Sequence, residues 1–365
     1  MSNLRFRARR SLAAACTALL VSTALLAAAA PVVASTTTVV VKPSALNGWQ
    51  SQHTTCGSSA TGAQSFVAGP STPPAGDGSL RFAIGSDGGS FEALRLPALH
   101  LVRLDDLTTL DYSTYSASGG TGDQAPYLLL SIDTNGDTTA DDLLFFEPEY
   151  QSGYTTNVPD QGALTYNTWR TWDALAGGWW STATAGVGPG ADVKTIAYYL
   201  SIHPDARIVN TAGGAGGLRI AAGCGAGAWD NFVGNADALT VGVEGADTAY
   251  DFEPETACSS VCYVDAVNGN DAYGGDSPSS AKRTIQAGVD AVDDGGTVVV
   301  AAGTYDEQVE VDDKSVTIDG AGSSTVVAPS APAANSTSMF SGAPVAAIIL
   351  ADAPLDSVTV RDLRL

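Results

Sequence analysis

Between residues 35 and 254, short apolar runs alternate with clusters of Gly, Asp, Ser and Thr. SLRFAIG (79–85), YLLLSID (127–133), DLLFFEP (142–148), VKTIAYYLSI (193–202), GLRIAAG (217–223) and ALTVGV (238–243) all have strand length and strand composition. No helical period interrupts them. The segment 35–254 therefore reads as all-β, a jelly-roll-like β-sandwich, and its size of about two hundred residues suits a single such domain. The pattern changes after 263. Ile285, Val289 and Val292 recur at helical spacing behind Thr284, a plausible N-cap, and Asp293-Asp294-Gly295-Gly296 forms a stop. TVVV (297–300), QVEV (308–311), SVTI (315–318) and STVV (324–327) follow, each bounded by turn residues. Residues 328–345 are rich in Pro, Ala and Ser and read as a loop, after which strands resume at 345–352 and 357–365. Strands this short in steady succession suit a solenoid, and the helix is the natural cover for its open first coil.

At these residues the chain resembles the N-terminal coils of the right-handed parallel β-helix, the fold of the pectin lyase-like and pectinesterase-like superfamily. The likeness lies in Thr284-Ile285-Gln286, Gly303-Thr304-Tyr305 and Val316-Thr317-Ile318-Asp319-Gly320-Ala321-Gly322. Tyr263-Val264-Asp265 and Asn268-Gly269-Asn270-Asp271 also resemble the opening segment of many secreted bacterial β-helix proteins. The preceding stretch, ending in the YDFEP of 250–254, is similar to lectin-like sandwich modules placed ahead of other domains. The expected order is thus a sandwich of binding type at 35–254, a linker at 255–262 and β-helix coils at 263–365. In the enzymes of that superfamily the catalytic carboxylates, Arg and Gln sit on coils further along, so the resemblance assigns no catalytic residue here. The chain reaches Leu365 in mid-strand without a polar cap, so further coils are expected beyond it.

Charge and address narrow the partners. Lys and Arg number 17 against 39 Asp and Glu, a net charge of −22. Nucleic acid and anionic membrane surfaces both need a basic footprint, so neither is an expected partner. An acidic polysaccharide would also be repelled unless calcium or a local basic cleft compensates. Arg5, Arg7, Arg9 and Arg10 precede an apolar run from Ser11 to Ala30 and the small-residue pattern Val32-Val33-Ala34. Residues 1–34 therefore read as a signal peptide, with a membrane anchor as the alternative, and the mature protein as secreted or displayed at the cell surface. Four cysteines remain: Cys56, Cys224, Cys258 and Cys262. An even number in an exported chain reads as two disulfides. Of the three pairings, Cys56–Cys224 with Cys258–Cys262 is favoured, since it ties the beginning of the sandwich to its end and closes one small loop. Zinc is the alternative, against which stand only three histidines and no close Cys-x-x-Cys pair.

Two local features carry candidate chemistry. Tyr166, Trp169, Trp172, Trp179 and Trp180 are concentrated in TYNTWRTWDALAGGWW. Flat exposed rings stack on sugar rings, so these residues are the candidate ligand-binding set. The alternative is that some fill the core and the rest cover a loop. Trp179 and Trp180 are adjacent, so on a strand they face opposite sides and cannot both be core. Asp133, Asn135, Asp137 and Asp141 fall at positions 1, 3, 5 and 9 of a loop with the oxygen-ligand spacing of calcium sites. Its position 12 is Leu144, so the usual bidentate glutamate is missing, and strand patterns flank the loop. It is a variant calcium loop or an Asx-rich hairpin turn. No nucleophile elbow, histidine-rich metal motif or phosphate loop is present in the sequence. The expectation is a secreted, polysaccharide-associated β-helix protein. The alternatives are a non-catalytic surface or adhesin-like protein, and a pectinesterase- or pectate-lyase-like enzyme whose active site lies beyond Leu365.

Overall fold

Strand-forming composition is realised almost wherever the alternation is clear. The computed structural model describes residues 36–365, apart from 57–61, 121–122, 154–157, 212–214 and 352–356. The expected signal segment 1–34, with Cys16, lies outside the described residues. The strands up to Phe252 are β1 (Thr37–Val41), β2 (Gln50–Thr55), β3 (Ala63–Ala68), β4 (Gly78–Ala83), β5 (Ser90–Leu96), β6 (Leu107–Ser118) and β7 (Tyr127–Asp133). There follow β8 (Asp142–Phe146), β9 (Arg170–Asp173), β10 (Trp180–Ser181), β11 (Arg207–Ile208), β12 (Leu218–Gly223), β13 (Val233–Val243) and β14 (Ala246–Phe252). One sheet runs β1-β14-β13-β4-β3, with β6 against β13 and β9 against β6. The other runs β10-β8-β7-β12-β5-β2, with β11 against β7. All these pairs are antiparallel except β1 with β14.

The two sheets bury one apolar cluster between them. Leu80 and Phe82 of β4 and Leu239 and Val241 of β13 meet Leu94 and Leu96 of β5 and Leu128, Leu130 and Ile132 of β7. Each such side chain contributes about 1.5–3 kcal/mol relative to exposure. The structure pairs Cys56 with Cys224, tying the end of β2 to the residue after β12.

The run 193–202 departs from the expectation of a strand. It forms a helix, α1 (Ile196–Ile202), whose N-cap Thr195 accepts a hydrogen bond from the Tyr198 amide. Ile196 and Tyr199, three residues apart, are buried, whereas Tyr198 and Ile202 are exposed. The local cap and the one-sided burial outweigh the β-rich composition of the run, since propensity is a weak preference that context overrides.

Beyond Glu255 the pairing becomes parallel. The helix α2 (Ile285–Ala291) follows β15 (Val261–Val264), which begins inside the expected linker. Next come β16 (Gly296–Val300), β17 (Gly303–Tyr305), β18 (Val309–Val311), β19 (Val316–Gly320) and β20 (Thr325–Val327). The remaining strands are β21 (Ser336–Thr337), β22 (Pro344–Val345), β23 (Ile349–Ala351) and β24 (Val358–Arg361). Parallel ladders run β15-β16-β19-β24, β17-β20 and β18-β23. Val298, Ile318 and Val360 are successive partners, so like side chains stack from one turn of chain to the next. The expected loop at 328–345 contains a small antiparallel hairpin of β21 with β22, and its tip residues Met339 and Phe340 are fully exposed.

α2 closes the first of these turns. Ile285 and Val289 on the helix, and Val292 at its C-cap, pack into the same buried cluster as Val264, Val298, Val309 and Ile318. Thr284 caps the helix as expected, accepting from the Ala287 amide. The Glu307 carboxylate accepts the Ile285 and Gln286 amides at its start, and Lys314 Nζ donates to the Val289, Asp290 and Val292 carbonyls at its end. The Gln286 side-chain amide accepts from the Glu310 N–H and donates to the Glu310 carbonyl. Cys258 and Cys262 form the second disulfide in this cluster. Gly275 sits over it with φ of +78°, where a Cβ would come 2.6 Å from Cys262 Sγ.

The stacking core sets an expectation for truncation. Ile318→Ala should cost about 2–5 kcal/mol, because Ile318 is fully buried. Val360→Ala, at a partly exposed position on the same ladder, should cost less. Urea denaturation of the two variants checks the order, and an equal loss at both sites contradicts a core centred on Ile318.

Candidate functional site

The outward face of the second sheet is built from a single register. Trp180 lies opposite Phe145, Phe145 opposite Leu129, Leu129 opposite Arg219, Arg219 opposite Arg95, and Arg95 opposite Gln50. One row of side chains therefore crosses all six strands on the side away from the sandwich core. Two residues along, the same face carries Tyr127, Ala221, Ala93 and Gln52, and beyond them Gly223, Phe91 and Thr54. Only small residues occupy the middle of the second row, where Ala93 faces Ala221. The face is consequently hollow. Its cavity of about 370 Å³ is lined by Trp180, Phe145, Tyr127, Trp229, Phe91, Leu129 and Arg219, with Gln52, Glu147 and the Cys56–Cys224 pair at its margins.

The rings are fixed by contacts that leave Trp180 at the surface of this hollow. Trp180 is half-buried, stacks on Phe145 with ring centroids 4.1 Å apart, and donates its Nε1–H to Glu147 Oε2 at 2.9 Å. Tyr127 lies edge-on to Trp229 at 5.7 Å. Arg219 donates from Nη2 to Ser131 Oγ at 2.7 Å, and Arg95 from Nε to Gln50 Oε1 at 3.1 Å. Both arginines are more than nine-tenths buried. Burial, and then Arg95 alongside, push the Arg219 guanidinium down to about 10. Burial, with Glu149 nearby, pushes the Glu147 carboxyl up to about 7 against the pull of the Trp180 N–H.

The aromatic segment does not act as one platform. Trp172 and Trp179 are fully buried in the sandwich core, donating to Thr114 Oγ1 and to the Ala174 carbonyl. A side chain with no exposed surface cannot stack on a ligand, so these two are core residues and not part of a binding surface. Trp169 packs on Tyr115, 5.6 Å between centroids, and donates to the Pro70 carbonyl beside the first sheet. Tyr166 is exposed. Only Trp180 of the five reaches the hollow. Trp179 and Trp180 do face opposite sides, as their adjacency requires.

The acidic loop between β7 and β8 does come together. Ligand atoms of Asp133, Asp137 and Asp141 lie within 4.8 Å of one another, a spacing that oxygen ligands around calcium can adopt. Asn135 is spent on the loop, its Oδ1 accepting the Asp137 N–H and its Nδ2 donating to Asp141 Oδ1. Asp133 accepts the Asn135, Gly136 and Thr138 amides, and these bonds hold its carboxyl below the usual range although burial works the other way. Three carboxylates with lone pairs to spare are a donor set for a hard cation, and the same bonds also make an Asx turn. Next to the loop, the buried Asp142 carboxylate accepts from Ser181, Thr182, Ala183, Thr184 and Tyr199. Those donors pin β10 and α1 to β8, which is a structural task.

The raised carboxyls give a pH signature. Glu147 and Asp237 are both held near 7 by burial. A carboxyl whose folded value lies above its unfolded one contributes stability that is full at low pH and is lost as pH rises through the folded value. The melting temperature should therefore fall from pH 5 to pH 8, and Glu147→Gln should reduce that fall. Calorimetry at both pH values checks this, and a temperature that rises toward pH 8 contradicts it.

No family model matches the chain, and no curated protein matches it. Two solved structures show a faint likeness, both described as the catalytic domain of a GH87 alpha-1,3-glucanase variant in complex with tetrasaccharides. They are 10% and 11% identical, with a TM-score of 0.16 in each case. The likeness covers 86% of this chain and 50% and 51% of theirs, so the chain spans about half the length of the structures it resembles. At that score nothing of their fold or activity is carried over.

Proposed function

We propose that this is a secreted, glycan-associated protein whose sandwich, residues 35–254, binds saccharide in the hollow beside Trp180. In this reading the parallel part, whose first strand β15 starts at Val261 inside the expected linker 255–262, forms coils of a right-handed parallel β-helix that position the binding module. The observation that carries the reading is the hollow itself. A half-exposed indole, stabilised by a ring behind it and a carboxylate at its N–H, sits at the rim of a cavity of about 370 Å³. Cavities of this size with a mainly aromatic lining and a few polar groups are the usual form of small-ligand sites. Two disulfides, and the absence of any described helix long and apolar enough to cross a membrane, are compatible with an extracellular setting.

We also propose that Asp133, Asp137 and Asp141 take calcium. The ion would staple the β7–β8 hairpin without entering any chemistry, and the close approach of the three carboxylates supports it.

Affinity electrophoresis through gels containing soluble glycans tests the binding site. Trp180→Ala should weaken retardation about tenfold or more, roughly 1.4 kcal/mol, while Trp169→Ala should leave it within twofold. Equal effects of the two changes, or no retardation of the parent protein by any glycan, refute the site. For the loop, 5 mM calcium should raise the melting temperature over that in chelator, and the combined change Asp137→Asn, Asp141→Asn should abolish the difference. Identical curves in calcium and chelator would sink the calcium proposal.

A further inference from the structure

The hollow contains a charge that the fold does not use. Arg219 is 6% exposed and lines the cavity. Its Nη2 reaches a neutral hydroxyl on Ser131, its Nε has no hydrogen-bond partner, and among the described residues no carboxylate forms an ion pair with it. The residue directly opposite on β5 is Arg95, a second buried guanidinium. Like charges placed opposite each other across a sheet destabilise it, and a buried charge without a counter-ion costs several kcal/mol. An apolar side chain of the same size would fold better at position 219. Costs of this kind collect where a ligand offsets them.

From this we infer that the hollow recognises a saccharide carrying a carboxylate, with Arg219 as its anion anchor and Arg95 beside it. The inference rests on the reading of the hollow as a glycan site and specifies the class of sugar. Guanidinium and carboxylate match as two parallel N–H···O bonds, which a point charge cannot provide. The register also sets the polarity of the ligand. Phe145 stands two strands from Arg219, about 10 Å, which leaves room for one sugar ring between the aromatic end and the anion end. Glu147, bonded to Trp180 Nε1, borders the aromatic end and there accepts ligand hydroxyls. A uronic acid fits this order, with its carboxylate toward Arg219 and its ring face toward Trp180. The overall charge of −22 disfavours an acidic ligand at long range. Contact at the hollow is governed by groups within a Debye length of about 10 Å.

Isothermal titration of the full chain with matched trisaccharides tests this. The probes are β-1,4-linked glucuronate, α-1,4-linked galacturonate and β-1,4-linked mannuronate trimers, each against its neutral counterpart with a hydroxymethyl group in place of the carboxylate. At least one acid trimer should bind ten times more tightly than its neutral form, and 0.5 M salt should reduce that preference. Arg219→Gln should erase it, and Arg219→Lys should restore only part, since the charge returns without the fork. Arg95→Gln, opposite Arg219 on β5 and outside the cavity lining, should lower the preference without removing it and covers the case in which Arg219→Gln does not fold. Neutral trimers bound as tightly as acidic ones, or a preference unchanged in both Gln variants, overturns the inference while leaving the glycan site standing. Binding of no trimer, or binding that Trp180→Ala does not weaken, overturns the glycan reading itself.

Discussion

A pleated strand sends successive side chains to opposite faces, and β7 carries large apolar residues on both. Leu128, Leu130 and Ile132 fill the sandwich, while Tyr127 and Leu129 face outward and are as deeply buried. Everything else about the second sheet follows from that double commitment. An outer face with this much apolar surface has to be covered, and the neighbouring strands supply Phe145, Trp180 and Arg219 at the register positions that cover it. Cover by rings and long side chains around two facing alanines leaves a hollow and not a flat surface. The hollow is thus a by-product of how the sheet solves a packing problem on its outer side.

Much of this was legible along the chain, and the reasons for what was not are physical. Strands such as 127–133 and 217–223 announce themselves because short apolar runs are bounded by Gly and Asp. The helix at 196–202 was missed because its Val, Ile and Tyr residues suit a strand equally well. The signal lay in Thr195 as a cap and in the spacing of Ile196 and Tyr199. The acidic loop was readable because its residues are neighbours in sequence. The hollow was not, since it draws on β2, β5, β7, β8, β10 and β12, and only the register between them brings Trp180, Arg219 and Gln52 to one face. Clustering of tryptophans in sequence overstated the exposed surface of that segment, because strand alternation sends Trp172 and Trp179 inward.

Charge behaves in the same way, differing between the whole and the part. The chain carries a net charge of −22, yet the middle of the second sheet's outer face holds two buried arginines, Arg95 and Arg219. Composition describes how the molecule is approached from a distance. The pairing of β5 with β12 determines which charge lies at this face.

The side chain of Gln286 has a further consequence. Its amide receives the Glu310 N–H and gives back to the Glu310 carbonyl, as a neighbouring backbone peptide would. β18 already pairs with β23 on its other side. A side chain thereby imitates the missing rung, and the spot where another molecule could dock edge to edge is already filled. The helix cap shields the apolar interior, and this amide occupies the edge of β18 against a strand from another molecule. One side chain thus blunts the open edge of one parallel ladder.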